Sequence, residues 1–202
     1  MPLWLDPRPL VLGSRSSARR DMLAAVGIPV ELAPADIDER GIEARAGTLT
    51  PGEAAVLLAR EKARVAGAKL VGQVVVGADQ TLALGGRRFS KARDRAAARE
   101  TLRALSGKTH ELHSAVAVSL DGRVVFSAVD VARMTVRSLS DRFIDAYLDE
   151  AGEGVRASVG VYQLEKLGVQ LFEKIEGDHF TILGMPLFAL LGFLRREGRL
   201  AS

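Results

Sequence analysis

Hydrophobic and polar positions along this chain fall into two kinds of run, apolar stretches of strand length and longer stretches with helical spacing, and the two alternate. "PLVLGS" around Leu10 reads as a short buried strand, and "SARRDMLAAVGI" follows with helix formers and a stop at Gly27. "PVELAPADIDE" alternates apolar and polar residues before giving way to Asp36, Asp38 and Glu39, which puts those acids just beyond a strand. Thr50, Pro51 and Glu53 form a helix start of the capping-box type, and "AAVLLAREKARVAG" carries that helix to Gly67. The three valines of "QVVVGADQTLAL" predict a strand covered on both faces, expected to end near Gly77 and Asp79.

In the second half, "RAAARETLRALSG" predicts an amphipathic helix stopped by Gly107. Two long strand-like runs, "THELHSAVAVSL" and "RVVFSAVDVARMTV", flank Asp121-Gly122, a dipeptide that suits a two-residue hairpin. Ser140 opens a helix through "DRFIDAYLDEAG", "GVQLFEKIEG" reads as a strand, and "MPLFALLGFLRREG" closes the pattern as a helix with Pro186 near its start. Alternating elements with at least one antiparallel pair define an α/β class with a mixed sheet. No repeat or unstructured linker interrupts the pattern, so residues 1–202 are expected to form a single domain. Were it two-lobed, the seam is expected near Gly107 or between Gly152 and Gly154.

Composition narrows the classes. At 202 residues, 48% hydrophobic and 26% charged, the chain can bury a proper core. Cysteine is absent, which removes disulfides, thiolate nucleophiles and zinc clusters and fits a reducing compartment, so the cytoplasm is the expected location. "MPLWLDPRPLVLGS" lacks a cationic start with an apolar run, and no apolar stretch approaches the roughly 20 residues of a membrane span. No membrane partner is expected. A net charge of +3 and only 2 Tyr, 7 Phe and 1 Trp argue against a nucleic-acid partner, although a local cluster of cations can still hold a small polyanion.

Such a cluster stands at the first strand-to-helix break, where Ser14, Ser16, Arg19 and Arg20 crowd together. A helix N-terminus with free N–H groups, hydroxyls and an arginine suits a phosphate, and a serine that merely caps the helix is the plainer alternative. Arg19 and Arg20 lie about 100° apart around a helix, so one of them faces the break. Asp79 in "GADQ" is either a turn-former or a carboxylate at the edge of a buried strand, where a cation must offset its desolvation. Asp36, Asp38 and Glu39 offer oxygen ligands for a hard divalent cation, or simply solvate a loop. Lys62 and Lys91 read locally as surface lysines. His110 and His113 fall on opposite faces of a strand and His179 stands alone, which disfavours a histidine metal site or a Ser-His-Asp triad. Neither a phosphate-loop motif nor a Gly-x-Gly-x-x-Gly fingerprint is present.

Taken together, "SRSSARR", "ADIDE", "LAREKA", "GADQ", "FSKARD", "LSGKTHELHSAVAV", "VQLFEKIEG" and "ILGMPL" resemble, in order and over nearly the whole chain, the Maf family of nucleoside triphosphate pyrophosphatases. The resemblance implies an elongated, two-lobed, inosine triphosphatase-like α/β fold with a strongly twisted mixed sheet, flanking helices and a central cleft, often as a homodimer. It implies hydrolysis of a nucleoside triphosphate to a monophosphate and pyrophosphate with Mg²⁺ or Mn²⁺, a house-cleaning role on modified nucleotides. Asp79 would be the catalytic proton acceptor and, with Glu39, a metal contact. Ser14, Arg19, Glu39, Lys62 and Lys91 would surround the triphosphate. Gln80 and Glu165 would face the base and favour the branch acting on 7-methyl-GTP, whereas Ala18 departs from the residue expected in either branch. A non-catalytic, nucleotide-sensing regulator of cell division is the alternative reading.

Overall fold

The computed structural model describes residues 2–202. β1 (Leu10–Leu12) is wholly buried, and Ser16 ends it by capping α1 (Ser17–Ala25), its side chain accepting the Arg19 N–H at 3.4 Å. The chain then returns through β2 (Val30–Leu32), which pairs parallel with β1. Asp38 caps α2 (Glu39–Ala46) by accepting the Gly41 N–H at 3.0 Å. Thr50 and Glu53 form the expected capping box at the head of α3 (Pro51–Gly67).

β3 (Val75–Leu84) is the central strand and runs well past the predicted end. Asp79 lies in its middle, so neither the expected strand end nor the turn-former reading holds. A short β4 (Arg87–Phe89) folds back on β3, and α4 (Arg95–Leu105) follows. β5 (Thr109–Leu120) and β6 (Arg123–Val136) form the expected hairpin, with Asp121 and Gly122 both at positive φ (52° and 73°), as a primed two-residue turn requires. α5 (Asp141–Ala151) is capped by Ser140. The predicted strand "GVQLFEKIEG" is shorter than expected: Leu167–Leu171 turns as a 3₁₀ helix, and only β7 (Phe172–Glu176) pairs with β6. A five-residue α6 (His179–Leu183), which the hydrophobic pattern did not reveal, precedes α7 (Leu187–Arg196).

The sheet has the order β2-β1-β3-β5-β6-β7, parallel at the β1 end and antiparallel from β3 onward, with β4 beside β3. α3 covers one face. The other face carries two hydrophobic clusters, one at each end. The first joins Val76, Ala78 and Val116 to α1 and α7, and it includes Trp4, whose indole N–H donates to the Arg8 carbonyl at 2.9 Å. The second joins Leu82 and Leu112 to α4 and α5. The two clusters thus share β3 and β5, and the boundary between them runs across these strands. Both strands are long enough to run beneath the two clusters, so no linker is needed. Among the described residues, no helix is long and apolar enough to cross a membrane.

Candidate active site

The site originates in a gap. On one edge, β3 pairs with β1 only at Val75 and Val76, and with β4 only from Leu82 to Leu84. Between Gly77 and Thr81 that edge has no strand partner, while β5 pairs without a break along the other edge. Exposed strand edges demand partners for their backbone groups. Here Arg19 supplies one: its Nη1 donates to the Ala78 carbonyl at 2.8 Å, next to the point where Gly13 N–H closes the last backbone bond to Val76.

Arg19 is more tightly held than a phosphate-binding arginine on a solvated helix face would be. Only 9% exposed, it donates through Nε to the Gly184 carbonyl at 2.9 Å and through Nη1 to Ser14 Oγ at 3.2 Å. Nη2 has no protein partner among the described residues. Gly184 has a φ of 110°, and a Cβ there would lie 3.3 Å from Arg19 Nε and Nη2, so glycine permits this approach. Burial holds the Arg19 guanidinium below the ordinary arginine range, against the opposing pull of Asp79 and Glu39. Arg20, one position on, is exposed and pairs with Asp21, in keeping with the helical spacing.

Asp79 points to the α3 face. Its Oδ1 accepts from Lys62 Nζ at 2.6 Å, and the same ammonium lies 2.6 Å from Glu39 Oε1. Lys62 is thus no surface lysine; it joins two carboxylates brought from β3 and the head of α2. Gly77 makes this possible, because a Cβ there would stand 2.2 Å from the Ala59 carbonyl and 2.4 Å from the Ala63 nitrogen. The Asp79 carboxyl is raised above the usual carboxylate range: desolvation outweighs the attraction of Lys62 and Arg19. Asp36 is exposed, and Asp38 is occupied as a helix cap. Of the three neighbouring acids, only Glu39 reaches the site.

On the opposite face, between the two hydrophobic clusters, lies an open pocket lined in part by Ala18, Gln80, Tyr162, Glu165 and Leu183. Gln80 is the next residue along β3 from Asp79, so strand alternation sends one side chain to the charged site and the other to the pocket. Glu165 is exposed on the far wall. Between Gly160 and Tyr162 of that wall, Val161 turns into the second cluster with φ of 61°, a costly conformation for a β-branched residue, and its carbonyl accepts from Tyr147 Oη at 3.1 Å. Lys91 is exposed on the segment between β4 and α4 and has no ion-pair partner among the described residues. His110 is buried against Tyr162 and His113 contacts Glu111, so the histidines stay apart as expected. Ser114 and Thr181, which local pattern did not single out, hold Gln80 from behind.

A buried acid, an ammonium shared between carboxylates and an arginine with an unused nitrogen at a helix N-terminus have the chemistry to meet a phosphorylated ligand. Residues 9–197 match the family described as Maf-like protein, and the chain belongs to that family. It is 56% identical over 201 residues to a nucleoside triphosphate pyrophosphatase of Rhodopseudomonas palustris (strain ATCC BAA-98 / CGA009), covering 100% of both chains. It is 48% identical over 191 residues to a 7-methyl-GTP pyrophosphatase of Brucella abortus biovar 1 (strain 9-941), covering 93% of this chain and 96% of the relative. Among solved structures, the Ham1 protein of Staphylococcus aureus aligns with a TM-score of 0.42 at 16% identity, over 66% of this chain and 73% of that one.

Proposed function

We propose that the protein hydrolyses nucleoside triphosphates between the α- and β-phosphates, releasing a nucleoside monophosphate and pyrophosphate, with 7-methyl-GTP as a favoured substrate. The observation that carries this reading is the placing of Asp79 and Gln80 on opposite faces of one strand at the gap, which allows a nucleotide to lie across the edge with base and phosphates on different sides. The homologues named as pyrophosphatases support it.

A divalent cation, Mg²⁺ or Mn²⁺, fits the donor set. Asp79 and Glu39 each have one carboxylate oxygen on Lys62, and Asp79 Oδ2 and Glu39 Oε2 have no protein donor among the described residues. No group of three or more His, Asp or Glu that could hold a metal ion occurs among the described residues. That suits a small hard cation which takes one or two carboxylates and completes its shell with phosphate oxygens and water. Once bound, the cation would neutralise charge on the phosphates.

The chain's own residues account for the rest. Asp79, held basic by its raised pKa, accepts a proton from the attacking water. The water oxygen bonds to the α-phosphorus as the bridging P–O bond breaks. Arg19 Nη2, the Lys62 ammonium and the Lys91 side chain are the cations available to the departing pyrophosphate, and Ser14 Oγ keeps the Arg19 fork in place.

Pyrophosphate release from 7-methyl-GTP, GTP, dTTP and UTP with Mg²⁺ or Mn²⁺ tests the proposal. Asp79→Asn is expected to lower kcat by about 10²–10⁴-fold with the fold intact. Full activity in that variant removes Asp79 from the mechanism, and binding without release in the wild type replaces the hydrolase with a nucleotide-sensing regulator.

A further inference from the structure

The Gln80 carboxamide has an orientation dictated by its surroundings. Its Nε2 stands 2.9 Å from Ser114 Oγ, 3.1 Å from the Thr181 carbonyl and 3.0 Å from the Ile182 carbonyl. Two of these atoms are acceptors only. The third behaves as one, because the single Ser114 hydroxyl hydrogen is donated to the Thr181 carbonyl at 2.6 Å. A reversed amide would set its oxygen against two carbonyl oxygens and a hydroxyl lone pair, so nitrogen must face inward. Oε1 is then the polar atom of this side chain that can face the pocket.

We propose that Ser114, completely buried and not itself part of the pocket wall, is a positioning residue for base selection: it fixes Gln80 as a hydrogen-bond acceptor toward the ligand. β3 and β5 place the two residues directly opposite each other, Gln80 against Ser114, so the hydroxyl reaches the amide without strain. Thr181 is held in turn by Asp130 and Asp178, which accept from its hydroxyl at 3.1 and 3.3 Å. Glu165, a carboxylate on the same pocket, also only accepts. Gln80 and Glu165 therefore complement a base edge that carries neighbouring N–H donors. Guanine presents N1–H and a 2-amino group; hypoxanthine lacks the amino group, and uracil has one N–H between two carbonyls. A site built around such donors rejects the analogue that leaves its acceptors unpaired.

The inference rests on the proposed placing of the base in this pocket but not on hydrolysis, so it is tested by equilibrium binding of GTP and ITP as their uncleavable α,β-methylene analogues with Mg²⁺ present. Pyrophosphate release, which tests the activity itself, is not read. Wild type is expected to bind GTP about tenfold or more tighter than ITP, the worth of one hydrogen bond to a charged or fixed acceptor. Ser114→Ala should reduce that ratio by at least about threefold. A purely structural role would weaken both nucleotides equally and leave the ratio alone, which overturns the proposal. Gln80→Glu provides a second arm that does not depend on Ser114→Ala folding. In a fixed cage the carboxylate faces three acceptors and the GTP preference falls. In a loose cage the added acceptor raises the preference, and that result also overturns the proposal, as does equal binding of GTP and ITP by wild type.

Discussion

Replacing Gly77 with alanine probes the contact that brings the charged site together. The added Cβ would lie 2.2 Å from the Ala59 carbonyl oxygen, whereas ordinary contact begins at 3.4 Å, so about 1.2 Å of separation must be found. Both close neighbours, the Ala59 oxygen and the Ala63 nitrogen at 2.4 Å, are backbone atoms inside α3, and neither can rotate away. The helix must lift from β3, disturbing the alanine layer of Ala55, Ala59, Ala63, Ala115 and Ala117. Overpacking of this kind costs about 3 kcal/mol, the upper part of the usual range because no flexible side chain can yield. For a chain of this length that lowers Tm by roughly 6–12 °C. Lys62 lies between the two struck residues, and its ammonium, 2.6 Å from Asp79 and from Glu39, is carried outward with them. Misplacement by an ångström in a site of this type costs about 10²-fold in turnover. Thermal unfolding and pyrophosphate release measured together check both numbers. Gly86→Ala is the control, since a Cβ there meets nothing within 4 Å and its φ is not positive. Wild-type Tm and turnover in Gly77→Ala would refute the close-approach argument.

Arg19→Lys keeps the charge but cannot reach the Gly184 and Ala78 carbonyls and Ser14 together, so a loss of about 1–3 kcal/mol in denaturant unfolding is expected, with kcat/KM down at least about tenfold. Unchanged stability would show that the guanidinium does not complete the sheet edge. His110 makes a different test. Burial depresses it to about 4, its Nε2 lies 2.7 Å from Tyr162 Oη, and Nδ1 has no partner among the described residues. A depressed histidine binds fewer protons folded than unfolded, so its contribution is intact above pH 6.5 and is lost as pH falls toward 4, by about 3 kcal/mol in all. His110→Leu should flatten that part of the stability profile; a slope equal to wild type would place the acid sensitivity elsewhere.

Much of the fold was legible because local signals agreed with tertiary need. The capping box at Thr50, the Asp121-Gly122 turn and the unbroken valines before Gly77 each specify one backbone outcome, and each is observed. Reading Gly77 and Asp79 as a strand end failed for a physical reason: glycine and aspartate disfavour strands locally, but here the glycine admits a helix and the aspartate meets a lysine 17 positions away in sequence. Nothing in β3 alone reports that distant partner. The split of the core into two clusters was not legible either, because the clusters share strands rather than being joined by a linker. Of the residues that the family motifs single out, Asp79, Glu39 and Lys62 lie in contact, Arg19 and Ser14 lie together beside them, and Gln80 shares a pocket with Ala18 and Glu165. Lys91 is exposed with no ion-pair partner among the described residues, and Ser114 was invisible because a serine in an apolar strand looks like any buried small residue until its neighbours are known.

The charge balance of the group bears on the proposed role of a cation. Arg19 and Lys62 supply two positive charges near the gap, and Asp79 and Glu39 supply two negative ones, so the inner group is close to neutral. A triphosphate entering alone would gain little net attraction there and would meet two carboxylates at close range. A purely phosphate-binding pocket would have no use for Glu39, whose carboxylate is half exposed and points at the shared ammonium. Were a divalent cation chelated by the phosphates, Asp79 and Glu39 would be the residues to hold it and Lys62 would be free to meet the phosphate oxygens. The near neutrality of the group follows from two acids having been folded onto one lysine, and on the proposed reading it would make triphosphate binding depend on the added cation.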